Sequence, residues 1–507
     1  MNDVASAQSS SVPPEASAGK GLRSGAIGLW QGAAWGFNGC APANGLAVLL
    51  GLIAPWAGVK TPAIILCSFG VMFITQVAFM WLTRYYPDCG QSFTWVTRVM
   101  RPYVGWVYGF VVFMMGVIFF PNSLSVTVAY AYDLVGLQSA AASTAWVIIG
   151  GLAVVAVIVF VFGVRGIEIS TVAAVILMLL QTAAIVLLSV IIIIKIYGSS
   201  PEGSVKLSLS MLSPFGLSWS SFASAMLLGM FFFIGWDVTA SLSEEAKGSR
   251  TAALSLGMST VILMIVLVLG SSAATAYHGS GFLADNYADT LAALARDALG
   301  SPWDKIVVAA VVASTFAGML AMLAIGARLA LSMAVFKAFP RVFGDMRSRW
   351  ARKYQSPAVA VLIFGAIVTV AFVVETAVDK NLVWDLVASF ALLAPLSYLL
   401  PCLCCPVLMR ARLTESVWNF VTMLVIPIVA AAILGAVSVR SVIDYAKPEN
   451  SFTGGLFGIG TPVLIAGGTI IVGIVLAVIW RFARPQFFTE SVEELGMTAP
   501  ELMLEDV

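Results

Sequence analysis

Long apolar stretches run through most of the chain, separated by short polar segments rich in Gly, Pro and charged residues. A helix rising 1.5 Å per residue needs about 20 apolar residues to cross roughly 30 Å of hydrocarbon. That length predicts twelve spans, at residues 26–54, 61–83, 103–133, 143–163, 169–197, 219–243, 251–277, 303–337, 357–376, 382–408, 416–438 and 459–482.

Two spans are interrupted. In the first, Trp35-Gly36-Phe37-Asn38-Gly39-Cys40-Ala41-Pro42-Ala43-Asn44-Gly45 sets three glycines, a proline and two asparagines inside an apolar run. In the sixth, Ile234-Gly235-Trp236-Asp237 puts a glycine and a carboxylate in lipid-grade sequence, just before small polar residues and a charged loop. Unwound backbone at membrane depth is tolerated only where protein packs on it or it lines a cavity. Breaks five spans apart point to inverted repeats with a binding site at the midplane. Spans 1–5 and 6–10 are the expected halves, with spans 11 and 12 accessory.

Composition agrees. Of 507 residues, 60% are hydrophobic and 10% charged, and the mean hydropathy is +0.97, outside the range of soluble domains. Basic residues outside the spans divide eighteen to eight between the two faces, with Arg328 inside span 8. By the positive-inside rule both termini are expected in the cytoplasm of a plasma-membrane protein. Residues 1–24 read as a disordered cytoplasmic tail, 25–482 as the transporter domain and 483–507 as a second tail. Within the domain, repeat one covers about 26–197, repeat two about 219–408, and the accessory helices about 416–482. Cys40, Cys67, Cys89, Cys402, Cys404 and Cys405 fall in spans or on the cytoplasmic side and read as small buried apolar residues.

A broken helix offers free amides at one half-helix end, suited to anions, and loose carbonyls at the other, suited to cations. A zwitterionic amino acid could be held by both, its carboxylate at Asn38 to Ala41 and its ammonium at the carbonyls near Phe233 and Ile234. Asp237 is an ionisable group at membrane depth, and such groups are functional candidates. It could pair with a substrate amine, carry a coupling proton, or cap the following half-helix through the amide of Thr239 or Ala240. Glu244, Glu245 and Arg328 approach the cytoplasmic face and form a candidate inner gate, with Arg84 or Arg98 as possible partners of the acidic pair. His278 is the only histidine, and no metal site is expected around it.

Four motifs carry a family resemblance. Phe233-Ile234-Gly235-Trp236-Asp237 with Ser243-Glu244-Glu245-Ala246-Lys247 resembles the sixth-helix signature of amino acid permeases in the amino acid, polyamine and organocation superfamily. Tyr86-Pro87-Asp88-Cys89-Gly90-Gln91-Ser92-Phe93-Thr94-Trp95, Gly105-Trp106-Val107-Tyr108-Gly109 and Ala327-Arg328-Leu329-Ala330-Leu331-Ser332-Met333-Ala334 resemble the loop after their second helix, the start of their third and the end of their eighth. The resemblance implies an all-α membrane protein of the leucine-transporter fold, with a 5+5 inverted repeat, two accessory helices, discontinuous helices 1 and 6, and alternating access to one central site. It places Gly36, Phe37, Asn38, Gly39, Cys40, Ala41, Asn122, Phe231, Phe233, Ile234, Gly235, Trp236 and Asp237 around the substrate, with Phe231 as an aromatic gate. It also puts Ser314 and Thr315 where sodium-coupled members hold their ion. Many relatives carry Gly-Ser/Ala-Gly at the first break; here Phe37 and Asn38 occupy that position.

A membrane-embedded enzyme would need a cluster of His, Asp, Glu or a serine nucleophile inside the bilayer, and a channel a continuous polar face or repeated filter motif. Neither pattern is present in the sequence. The expectation is a secondary active amino acid transporter coupled to a cation, a proton in preference to sodium. The alternative is an amine or polyamine carrier or exchanger with Asp237 as counter-ion. The sequence carries no P-loop; no cofactor, metal or nucleic-acid partner is expected.

Overall fold

A computed structural model describes residues 20–497, apart from 288 and 379. The rest of both expected tails lies outside the described residues. Among the described residues, ten helical stretches are long and apolar enough to cross a membrane, and one of them, Leu29–Tyr85, contains two expected spans. The first span is split into α1 (Leu29–Gly39) and α2 (Pro42–Ala57). There follow α3 (Thr61–Tyr85), the short α4 (Ser92–Met100), α5 (Pro102–Leu134), α6 (Thr144–Ala156) and α7 (Ile167–Gly198). The sixth span is α8 (Trp219–Phe231), a non-helical turn, and α9 (Val238–Ser241). The chain continues through α10 (Ser249–Tyr277), a hairpin of α11 (Gly279–Asp285) and α12 (Thr290–Leu299), α13 (Asp304–Val335), α14 (Ala358–Val378), α15 (Lys380–Leu408), α16 (Ile426–Tyr445) and α17 (Thr461–Ala483). The expected spans fall on these elements, the first and sixth each divided between two.

The breaks have local causes. Pro42 opens α2 and has no N–H to continue the ladder of α1, while Ala41 takes a left-handed φ of 46°, a conformation that ends a helix. Gly235 has φ 108°, which only glycine adopts without strain. In the sequence both are marked by the same residues that make them possible.

Burial divides the helices into two main cores. One gathers residues of α2, α3, α10 and the α8–α9 turn, together with Tyr398 and the cysteines of α15. The other gathers α5, α13 and α14 with the end of span 4, through Phe113, Phe120, Phe364 and Phe372. The most extensive helix pairings are α3 with α10 and α5 with α13. Each joins corresponding spans of the two expected halves, 2 with 7 and 3 with 8.

On one face the α11–α12 hairpin sits on α2. A Cβ at Gly51 would lie 2.4 Å from Tyr287 Cα and 2.8 Å from Thr290 Oγ1, so the glycine allows the backbones to touch. Tyr130 of α5 donates to Asp289 Oδ1 at 2.6 Å, and His278 Nε2 lies 2.9 Å from Asp297 Oδ2. The hydrogen bond from His278 is the main reason the Asp297 carboxyl is held below its ordinary value, with Tyr277 adding to it. On the opposite face the start of the first expected span is tied down before α1 begins: Ile27 N donates to Glu245 O at 3.0 Å and Lys247 N to Ile27 O at 2.8 Å.

Candidate functional site

The two breaks meet. A Cβ on Gly39 would stand 2.1 Å from Gly235 O, and one on Gly235 would stand 2.3 Å from Gly39 O. Only two glycines let the main chains pass this closely, so the spans broken in sequence are crossed in space at their breaks. The eighth span closes the junction, since a Cβ at Gly318 would lie 3.3 Å from Ala41 Cβ.

Asp237 is held at this junction by side chains. Tyr398 of α15 donates to Asp237 Oδ1 at 2.8 Å, and Gln91 Nε2 donates to Oδ2 at 3.2 Å. The same tyrosine oxygen accepts from Gly235 N at 3.0 Å, so one phenol ties the carboxylate to the broken backbone. The expectation that Asp237 might cap the second half-helix fails: its side chain makes no cap bond to α9. A segment of four residues leaves little for a cap to stabilise, and the carboxylate turns to stronger donors.

The other expected lining residues divide. Phe231 and Ile234 are partly exposed beside a narrow cavity bordered by Pro395 and Tyr398. Asn122 is half-buried on α5. Gly36 packs backbone against Ser259, whose Oγ would lie 2.5 Å from a Cβ there. Phe37 is fully buried in the first core, and Phe233 sits there against Phe69 with ring centroids 6.0 Å apart. Trp236 stacks on Tyr398 at 5.2 Å and meets Phe79 edge-on at 4.8 Å. Cys40 is buried between the half-helices. Asn38 is turned away: its Nδ2 donates to Ala174 O at 2.6 Å and its Oδ1 accepts from Gln181 at 3.0 Å. A polar side chain in an apolar span must find a partner, and α7 supplies two. Ser314 Oγ accepts from Asn44 N at 3.2 Å, and Thr127 donates to Thr315 Oγ1 at 2.6 Å, both hydroxyls being buried.

Tyr398 and Gln91 escaped the sequence reading. A phenol in the middle of a span flanked by Pro395 and Pro401 is a visible polar anomaly, and Gln91 lies in the motif after the second span, so both had a signal.

On the face carrying the N-terminal segment, two ionic contacts close the bundle. Arg328 Nε and Glu245 Oε2 are 2.5 Å apart with side chains 5% and 1% exposed. Lys20 Nζ is 2.7 Å from both Asp88 Oδ1 and Glu244 Oε1. Cys89 N also donates to Glu244 at 2.8 Å, and Ser332 Oγ to Asp88 at 2.8 Å. The donor atoms of Asp88, Cys89 and Glu244 converge within 4.8 Å, and the Lys20 ammonium occupies their focus. Burial alone would lower the Lys20 pKa, but the Asp88 and Glu244 carboxylates outweigh it and hold the ammonium above the ordinary lysine range. Burial pushes the Glu245 carboxyl up, opposed by Arg328. The expected partners of the acidic pair are therefore corrected: Arg84 lies over Trp81 and Tyr85, and Arg98 over the Tyr86 ring. The acidic pair is met by Lys20, in the expected tail, and by Arg328.

The junction brings two main-chain breaks and one carboxylate together. The family profile "Amino acid permease" matches residues 27–480. The chain belongs to that family. The permease is a membrane transport protein and not an enzyme. Its fold is that of the transporter MhsT, crystallised with L-phenylalanine, at a TM-score of 0.56 and 14% identity, covering 83% of the permease and 99% of MhsT. Among curated proteins none matches the permease by sequence.

Proposed function

We propose that the permease is a secondary active carrier of amino acids, working by alternating access at the crossing of the two broken helices. The observation that carries this reading is Gly39 against Gly235 with Asp237 beside them, tied to Tyr398 and Gln91. The fold neighbour MhsT was crystallised with L-phenylalanine, a zwitterion of the kind such a junction suits. In the permease, the carboxylate would sit at the main-chain break from Asn38 to Ala41 and the ammonium at the carbonyls near Phe233 and Ile234. The two separate cores favour rocking of one helix group against the other. The basic-residue bias supports cytoplasmic termini, and in this reading the Lys20 and Arg328 contacts form the inner gate and the α11–α12 hairpin the outer lid of a plasma-membrane carrier.

A proton suits this site better than sodium as the coupling ion. Ser314 and Thr315 already accept hydrogen bonds from Asn44 N and Thr127, whereas a hard cation needs several free oxygens at once. Asp237 is the proton carrier in this reading. A second reading, an amine or polyamine carrier or exchanger, is favoured by one feature: no basic side chain bonds Asp237 among the described residues, so a substrate amine could complete the pair.

Melting-temperature shifts with matched pairs, each an amino acid and its decarboxylated amine, separate the two. Ligand at about 100 times its Kd adds about 2.7 kcal/mol to apparent stability. Stabilisation by the amino acids alone supports the first reading; equal stabilisation by the amines moves the anchor to Asp237. Asp237→Asn is expected to abolish uptake with folding intact, and unchanged uptake kinetics would remove it from the mechanism.

A further inference from the structure

A groove of about 510 Å³ opens on the outer surface of the bundle between the end of span 4, the start of α7 and α13. Its walls are Phe162, Ile169, Val172, Ala173, Ile176 and Phe316, with Glu168 at one end. The cause is local. Residues Val157–Gly163 form a π-helical stretch, whose wider turn bulges span 4 and often marks a functional place. Phe162 is propped edge-on against Phe316 at 5.7 Å, which leaves the small Ala173 as the floor.

Val172 and Ile176 are 62% and 58% exposed, yet both lie in a membrane span and face hydrocarbon. The groove ends near the N-terminal face, at charged groups. Arg23 pairs with Glu168 at 2.7 Å, which neutralises the carboxylate. Arg165 is exposed and has no ion-pair partner among the described residues.

We propose that this groove binds an anionic phospholipid of the leaflet on that face, one acyl chain lying along Val172, Ala173 and Ile176 and the head group at Arg165. An apolar slot with an exposed cation in the turn between Gly163 and Ile167, next in sequence to the groove wall, suits the polarity of a single lipid molecule. A second copy of the chain fits poorly, because helix pairing in lipid relies on small residues at the contact and this rim is Phe, Ile and Val. The site also has a route to the transport core. The turns of α7 that form its floor hold α1 from their other side: Trp35 Nε1 donates to Thr171 Oγ1 at 3.0 Å and Asn38 Nδ2 to Ala174 O at 2.6 Å. A chain in the groove would brace α7 against the first broken helix.

The test uses the delipidated full-length permease and phosphatidylglycerol or phosphatidylcholine carrying a diazirine on the acyl chain, with cross-linked peptides mapped by mass spectrometry. Saturable labelling of the peptide holding residues 167–177 is expected, with phosphatidylglycerol preferred about fivefold, the effect of one basic side chain at an anionic head group. Arg165→Gln should remove that preference, and Ala173→Trp should remove the label itself while other lipid-facing peptides keep theirs. If Ala173→Trp does not fold, Val172→Trp on the exposed rim serves the same purpose. Labelling that is unsaturable and even across the lipid-facing helices, or indifferent to the groove-filling variant, would overturn the proposal, as would a dimer in native mass spectra that Val172→Trp dissociates.

Discussion

Replacing Lys20 with methionine keeps an aliphatic stem and removes the cation that Asp88 and Glu244 share and that lies 5.0 Å from the centre of the Phe336 ring. Lys20 Nζ lies 2.7 Å from each carboxylate, with its side chain 10% exposed. Removing one partner from a buried ion pair costs about 3–5 kcal/mol, because the remaining charge is left uncompensated. The loss falls on the closed form of the proposed inner gate, since in an open form water solvates the same carboxylates. At about 1.4 kcal/mol per decade, the lower figure raises the open population about a hundredfold. Cys89 is the native reporter. It is fully buried under Lys20, whose Nζ lies 3.6 Å from Sγ, and burial pushes its thiol up, so it reacts slowly while the gate is shut. Maleimide labelling of Cys89, followed by peptide mass spectrometry against the half-exposed Cys67, should accelerate strongly in Lys20→Met and return to the parent rate in Lys20→Arg. An unchanged rate in a folded Lys20→Met protein would show that the contact does not hold the gate.

Three further outcomes follow from the same structure. Arg328→Met strands the buried Glu245 carboxylate and should lower thermal stability by an amount in the same range of about 3–5 kcal/mol, most of it recovered in the Arg328→Met/Glu245→Leu double variant; a double variant no better than the single one would refute the pairing. Gly39→Ala forces a methyl against Gly235 O, at 2.1 Å before any relaxation, and should cost at least the about 1–3 kcal/mol of ordinary overpacking, read as a lower melting temperature together with lost uptake. Asp297 has a depressed pKa in the fold, so its contribution to seating the α11–α12 hairpin is complete above the ordinary carboxylate value and fades as pH falls below about 4. Hydrogen exchange in residues 279–299 should rise over that range, and Asp297→Asn should exchange fast at every pH.

The spans were legible because 20-residue apolar runs leave little choice in lipid, and the breaks because Gly36, Gly39, Pro42 and Gly235 stand out in such runs. What the sequence could not give was direction. Asn38 reads as a cavity residue by its position in the break, yet its amide faces α7, where Ala174 and Gln181 complete its hydrogen bonds. Phe233 adjoins Ile234 in the sixth-span motif but turns into the first core. Tyr398 and Asp237 are 161 positions apart, a pairing that no local pattern encodes. Lys20 was hidden for a different reason. Composition marks residues 1–24 as a tail, and a single lysine needs no apolar neighbours to dock when two carboxylates await it.

The crossing of Gly39 and Gly235 makes the heart of the permease out of atoms that every amino acid shares. The proposed binding site, written in main chain, places its demands on shape and leaves the letters around it free to drift. Lineages could exchange lining side chains, and with them the cargo, while the junction itself passed unchanged from one specificity to the next. In this proposal the carrier depends on the path of its backbone at two glycines.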